Sequence, residues 1–236
     1  MMNNIFERNV SLWGETAQNN LRNATVAVFG LGGVGCACVE GLARAGVGNL
    51  VLCDSDKYCA SNVNRQLFAT SDTLDKFKTE VAKERILCIN PHCNVQIVTC
   101  CFNLETAHLF DFSQYDYVCD AIDSVQSKVL LTKLAKEHNV PIVCCMGTGN
   151  KLDASKFSVQ DVSKTTVCPL AKAFRKNLKQ QSITSGVKVV FSTEEPFRFD
   201  GAYSVAPSSC SFVPNVAGFL LAQTAILEII KKSDID

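Results

Sequence analysis

The stretch ATVAVFGLGGVG, Ala24–Gly35, leaves little choice of local structure. The apolar run up to Phe29 reads as a short strand buried on both faces. Gly30, Gly32, Gly33 and Gly35 follow in the spacing G-x-G-G-x-G. Glycines so placed let the backbone turn tightly and approach a ligand closely. Val34–Ala45 then carries helical patterning with small residues, and NLVLCDSD, Asn49–Asp56, is a second strand ending in acids. Together these segments make one βαβ unit. Its loop is a phosphate cradle, because backbone N–H groups and the positive end of a helix converge there.

The alternation continues. Lys76–Asn90 reads as a helix stopped at Pro91, Asn94–Phe102 as a strand, and Thr106–Phe112 as a short helix. Tyr115–Asp123 is a strand ending in Asp123, Ser127–His138 a helix and Pro141–Gly147 a strand. This predicts an α/β, Rossmann-like, doubly wound, mostly parallel sheet with helices on both faces. Ligands of such sheets sit at the carboxyl ends of the strands, where Gly30, Asp54 and Asp123 all fall. Upstream, Asn4–Asn23 reads as one or two amphipathic helices anchored by Leu12, Trp13 and Leu21.

After Gly149 the pattern weakens. Phe157–Val162 and Val187–Ser192 read as strands and Pro169–Gln181 as a helix. Phe212–Ile230 is apolar enough to resemble a membrane span, but Pro214, Asn215, Gln223 and Glu228 favour a buried helix under the sheet. No stable membrane association is expected. The predicted organisation is one domain, 1–236. Within it, 24–150 is the nucleotide-binding core, 151–210 a basic cap or edge element, and 211–236 a buried C-terminal helix.

Hydrophobic residues make up 47% of the chain, enough for a substantial core. Thirteen cysteines, an odd number, sit mostly in apolar runs behind a polar start, MMNNIFERNV, with no secretory leader. That pattern predicts reduced, buried thiols used as small hydrophobes in a cytoplasmic protein. No C-x-x-C pairs occur, and the adjacent Cys100–Cys101 and Cys144–Cys145 cannot replace them, so no structural zinc is expected.

Asp54 lies 22 residues after Gly32, where a carboxylate accepts both hydroxyls of a ribose, in NAD and in ATP alike. SNVNRQ, Ser61–Gln66, and Lys78 tip the balance toward a triphosphate. The Arg65 fork can grip phosphate oxygens and Lys78 can act as a point charge, with Asn62, Asn64 and Gln66 orienting them. Asp123 can hold Mg²⁺ bridging the phosphates. A hydride-transferring enzyme has no need of this cationic pair.

GLGGVG, the D-x-D of Asp54 and Asp56, SNVNRQ, Lys78 thirteen residues after Arg65, and DAIDS ending in Asp123 and Ser124 form one ordered set. Over about residues 5–150 this set resembles the ubiquitin-activating-type adenylating enzymes, ThiF and MoeB among them. The resemblance implies ATP binding at Gly30, Gly32, Gly33, Gly35, Asp54, Asn62, Arg65, Lys78 and Asp123, and attack of a substrate carboxylate on the α-phosphate. Asp56, Asn64, Gln66 and Ser124 stand in the same motifs. It further implies a homodimer in which Arg8, within FERNVSLWGE, reaches the partner's phosphates. Arg65, Lys78, Asp123 and Arg8 are then the catalytic set.

Further on, DVSKTTVCPLAKAFRKNLK, VVFSTEEP and, more loosely, INPHCNV resemble the tRNA threonylcarbamoyladenosine dehydratases. That resemblance implies ATP-driven cyclisation of the modified adenosine beside the anticodon. The alternative is adenylation of the Gly-Gly terminus of a sulfur-carrier protein. Enzymes of that kind usually carry the zinc pairs missing here. A binding module without turnover and a dehydrogenase are the remaining rivals.

Charge points independently to nucleic acid. Between Lys151 and Lys188 eight basic residues face two acids in a chain otherwise balanced at 23 of each sign. Lys172, Arg175, Lys176 and Lys179 share one predicted helix face, suited to tRNA phosphates. Cys210, in PSSCSF, has no base nearby in sequence and reads as a non-catalytic thiol. The resemblance also brings in a sulfur-handling partner of the cysteine desulfurase system.

Overall fold

A computed structural model describes residues 5–197 and 207–231. Parts of the expected cap and of the C-terminal segment lie outside these residues, as does the first residue of the expected N-terminal helix.

Seven strands form one sheet in the order β3-β2-β1-β4-β5-β7-β6. They are β1 (Thr25–Phe29), β2 (Asn49–Cys53), β3 (Asn94–Val98), β4 (Tyr117–Asp120), β5 (Ile142–Cys145), β6 (Phe157–Asp161) and β7 (Lys188–Ser192). All neighbouring pairs are parallel except β6 with β7, which closes one edge antiparallel. The helices are α1 (Glu7–Asn23), α2 (Gly33–Ala45), α3 (Lys78–Ile89), α4 (Val125–Glu137), α5 (Pro169–Gln180) and α6 (Val213–Lys231). Helix α1 is broken at Gly14, whose φ of 84° only glycine adopts readily, so the N-terminal segment is two helices end to end.

Each central strand is apolar on both faces because both are covered. In β1, Val26 and Val28 face a layer containing Leu42 of α2, Ile86 of α3 and Leu221 of α6. Ala27 and Phe29 face the other layer, with Leu131 of α4 and Phe174 of α5. Helix α6 is long and apolar enough to cross a membrane, yet half of that stretch is buried. Its inner face lies hard against α2, where a Cβ on Gly218 would stand 2.2 Å from the Val34 carbonyl.

All thirteen cysteines are free thiols, and eight are buried. Burial pushes the Cys36 and Cys93 thiols up to about 11. They pack as small apolar groups, as their apolar surroundings in the sequence suggest.

Chain order doubles back at β1. The chain runs from β1 to β2 and β3 on one side, then crosses to β4 on the other. The crevice this reversal opens is the usual ligand position of a doubly wound sheet. Strand β4 is shorter than the sequence suggests. It ends at Asp120, and Ala121–Ser124 form the turn that passes beneath the glycine loop and caps α4.

A buried carboxylate fixes α2 to α3. Glu40 accepts from Arg85 Nε at 2.9 Å and Nη2 at 2.8 Å, and from Arg44 Nε at 2.7 Å. Burial alone would raise the Glu40 carboxyl, but the two guanidiniums outweigh it and hold the group below its ordinary value. The stabilisation is therefore full above the ordinary glutamate range, about 4.3, and is lost as pH falls through the lower native value. Glu40→Gln is expected to lower the melting temperature at pH 7, with the gap to the unaltered protein narrowing below pH 4. Melting curves across pH 3–8 check this, and a gap independent of pH contradicts it.

Candidate functional site

The cleft is built around the turn after β1. Gly30 has a φ of 88°, and a Cβ there would lie 2.7 Å from the Ala121 carbonyl across the β1–β4 crevice. A Cβ on Gly35 would lie 1.8 Å from the Gly30 carbonyl, so α2 can start only if position 35 is bare. Gly32 differs. Nothing stands within 4 Å of its absent Cβ. No neighbour in the protein demands glycine at 32, and the bare backbone there opens onto the cleft at the N-terminus of α2. That geometry fits a phosphate chain lying against the main chain.

Asp54, just past β2, ties its own strand end to the loop. Its Oδ2 accepts the Leu31 N–H at 2.6 Å and its Oδ1 accepts the Asp56 N–H at 2.8 Å. Burial raises the Asp54 carboxyl above its ordinary value, opposed by Lys78 and by these two N–H groups. Lys78 opens α3 as a buried cation. Its Nζ lies 2.7 Å from Asp56 Oδ2 and 4.0 Å from Asp54 Oδ1.

SNVNRQ folds as a tight turn against the same loop. Buried Asn62 accepts the Cys59 N–H through Oδ1 at 3.2 Å. Asn64 Nδ2 donates to the Ser209 carbonyl at 3.0 Å. Arg65 folds back on its own turn, Nη1 donating to the Ser61 carbonyl at 2.7 Å and to Asn64 Oδ1 at 3.0 Å. Gln66 is buried, and its Oε1 has no donor. Asp123 and Ser124 are exposed on the facing turn, where Ser124 Oγ accepts the Ser127 N–H at the start of α4.

A buried ion pair that the sequence reading did not single out supports that facing turn. Lys128 Nζ lies 2.9 Å from Asp120 Oδ2, with both side chains fully buried. Lys128 Nζ also donates to the Ile122 carbonyl at 2.8 Å, and the Ile122 N–H donates to Asp120 Oδ1 at 3.0 Å. Burial would lower the lysine, but the charge of Asp120 outweighs it and the ammonium is held. The available signal was an acid closing an apolar strand, followed by a lysine on the apolar face of the next helix.

The structure thus gathers Gly30–Gly35, Asp54, Asp56, Asn62–Gln66, Lys78, Asp123 and Ser124 around one crevice. It does not bring Arg8 there. Asn9 Nδ2 donates to the Arg44 carbonyl at 3.0 Å, which puts the exposed Arg8 beside the far end of α2, about 20 Å from the glycine loop.

In the basic segment, Ala171, Phe174 and Leu178 bury one face of α5, and Lys172, Lys176 and Lys179 are exposed. Arg175 is partly buried and donates to the Thr165 carbonyl at 2.9 Å and to the Thr165 hydroxyl. It fastens α5 to the preceding turn. Lys151 is buried, with Nζ donating to the Glu194 carbonyl, and Lys188 pairs with Glu228. Exposed Lys156 lies 3.8 Å from Asp153 Oδ2, so the exposed charge without a carboxylate partner among the described residues narrows to Lys164, Lys172, Lys176 and Lys179.

The model of the ThiF family matches residues 6–235. The tRNA threonylcarbamoyladenosine dehydratase of Bacillus subtilis is 38% identical, over 98% of this chain and 96% of its own. The crystal structure of Escherichia coli tRNA N6-threonylcarbamoyladenosine dehydratase, TcdA, in complex with AMP superposes with a TM-score of 0.91 at 32% identity, covering 100% of this chain and 99% of that one. The same enzyme in complex with ATP gives 0.90 at 33% identity, over 97% and 95% of the two chains.

Removing one partner of a buried ion pair strands the other charge. Lys128→Met is expected to cost about 3–5 kcal/mol in urea unfolding, and Lys128→Met with Asp120→Leu to recover much of it. A single variant as stable as the unaltered protein would show that the pair does not hold this turn.

Proposed function

The chain belongs to the ThiF family, and from that premise we propose that it is an ATP-dependent tRNA threonylcarbamoyladenosine dehydratase. The strongest support is the end-to-end match to the Bacillus subtilis dehydratase, with 98% of this chain aligned to 96% of that one. A carboxylate oxygen of the threonyl group attacks the α-phosphorus of ATP, and pyrophosphate leaves. The carbamoyl nitrogen then attacks the activated carbonyl carbon and gives up its proton, and AMP departs with that oxygen. The nucleoside loses one water and closes to the cyclic hydantoin. Both reacting groups belong to one side chain, so holding them together lowers the barrier without a covalent protein intermediate.

The site residues divide the work. Backbone N–H groups around Gly30–Gly35 and the start of α2 receive the phosphates, and Asp54 receives the ribose hydroxyls. Lys78 exchanges Asp56, and Arg65 exchanges Ser61 and Asn64, for phosphate oxygens as the α-phosphorus is attacked. Asn62, Asn64 and Gln66 orient this turn, and Asp56 and Ser124 line the cleft. Asp123, an exposed carboxylate standing apart from other ligand types, suits Mg²⁺, which binds through one or two carboxylates plus substrate phosphates. Mg²⁺ held there would neutralise charge on the departing pyrophosphate.

A homodimer fits the remaining pieces. Arg8 lies too far from its own cleft and is available to a partner's. Phe212 just before α6, and Val216 and Phe219 within it, are exposed, as are Val63 and Leu67 on the adjoining turn. They supply an apolar face for a second copy. Lys172, Lys176 and Lys179 receive tRNA phosphates, with Arg175 setting the orientation of α5. Cys210, partly buried with Sγ 3.9 Å from the Lys151 carbonyl, stays a non-catalytic thiol, and a sulfur-handling partner of the cysteine desulfurase system completes the assignment. The protein works in the cytoplasm, where its tRNA is.

With ATP, Mg²⁺ and tRNA carrying threonylcarbamoyladenosine, nucleoside mass spectrometry should record the loss of one water. Lys78→Met is expected to slow that loss at least 100-fold, the scale set by removing a charge that stabilises a transition state. Loss of water without ATP, or turnover of Lys78→Met at the unaltered rate, counts against the assignment. Charge reversal at Lys172, Lys176 and Lys179 together should raise the KM for tRNA at least tenfold at moderate salt and leave the KM for ATP unchanged. Unchanged tRNA binding removes α5 from the interface.

A further inference from the structure

We infer that Asn215, in the first turn of α6, is a positioning residue that holds the Arg65 main chain so that its guanidinium can reach the phosphates. The inference rests on the reading of Arg65 as a phosphate-gripping residue.

Three segments distant in sequence meet at the Arg65 carbonyl. A Cβ on Gly33 would lie 3.2 Å from that oxygen and 3.1 Å from Cβ of Pro214. Asn215 Nδ2 donates to the same oxygen at 3.2 Å and also to the Ser211 carbonyl. The glycine loop, the SNVNRQ turn and the start of α6 therefore meet at a single main-chain oxygen, which Asn215 bonds and bare Gly33 leaves room for. Asn64 adds a second tie through its 3.0 Å bond to Ser209.

The orientation of the Asn215 amide is forced. Both of its near neighbours are carbonyl oxygens, which only the NH₂ end can satisfy. Its Oδ1 is buried and receives no donor. The side chain thus leaves an acceptor unsatisfied in order to reach Arg65 and Ser211, an arrangement that needs a compensating role.

Arg65 itself shows what that role is. Its guanidinium bonds only to the Ser61 carbonyl and Asn64 Oδ1 of its own turn among the described residues. When it turns to a phosphate it releases both. What then remains is its main chain, fixed by its own N–H to the Asn62 carbonyl at 3.0 Å and by Asn215 to its carbonyl. Asn215 is the tether from outside the turn that acts on residue 65 itself, beside the Asn64 bond to Ser209. Without it the Arg65 backbone is free to draw away from Gly33, and the long side chain loses its aim.

The test is a double-mutant cycle read by direct titration of the protein with ATP and Mg²⁺. Arg65→Ala should weaken ATP binding. Asn215→Ala should weaken it about tenfold, as loss of one orienting hydrogen bond to a charged group's anchor does. The double variant should bind no worse than Arg65→Ala alone. In turnover assays Asn215→Ala should raise the KM for ATP and leave the KM for tRNA unchanged, and Asn215→Gln, which keeps the donor, should recover part of the loss. If Asn215→Ala melts below the assay temperature, Asn215→Ser carries the same cycle, since it keeps a polar first turn but falls short of Arg65. Binding by Asn215→Ala equal to that of the unaltered protein overturns the inference, as does a double variant whose losses add. Normal ATP binding by Arg65→Ala would instead overturn the reading of Arg65, and the inference with it.

Discussion

The approach of Gly35 to the Gly30 carbonyl is the constraint on which the rest of the site depends. A single methyl group at 35 would stand 1.8 Å from that oxygen. Because position 35 is bare, α2 begins immediately after β1 with its N-terminus aimed along the β1–β4 crevice. Because Gly30 is bare, the turn also settles onto Ala121. The same close approach recurs at the other side of α2, where Gly218 lets α6 lie against Val34. Helix α6 then delivers Pro214 and Asn215 to Gly33 and Arg65. The position of the arginine is thus set, through two helices, by where glycine occurs.

Charge is arranged in two layers around this frame. Beneath the cleft, Asp120 and Lys128 neutralise each other in full burial and fix the turn that displays Asp123. At its rim, Lys78 and Arg65 are held by oxygens of the protein rather than left bare. A buried pair of this kind is costly to break and gives a defined geometry. A cation resting on exposed Asp56 is cheap to redirect. The division suits a site in which the support stays fixed and the cations move to the nucleotide.

Much of this could be read in the sequence because local chemistry dictated it. The strand–glycine–helix unit, the strand pattern from Asn49 to Gly147 and the helix at Pro169–Gln180 all follow from apolar runs, glycine and proline. SNVNRQ and Lys78 could be assigned to the cleft because a guanidinium and an ammonium in that order after the glycine loop suit phosphate. What was not read depends on how one segment folds back onto another. Asp120 looked like an ordinary strand residue, and Asp123 like the strand end, because the Lys128 that neutralises Asp120 lies a turn into the next helix. Arg175 shared the helical spacing of three lysines, but its reach to Thr165 depends on how the 162–165 turn folds back. Asn215 looked like a polar blemish in an apolar helix. Its meaning appears only when residue 65 is brought beside it.

Adenylation of the threonyl carboxylate sends one of its oxygens out on AMP. The direct measurement uses tRNA whose threonylcarbamoyladenosine carboxylate is labelled with ¹⁸O, followed by mass spectrometry of the released nucleotide after turnover in unlabelled water. One ¹⁸O is expected in AMP, with pyrophosphate free of label. Release of ADP and phosphate, or AMP without label, would contradict adenylation.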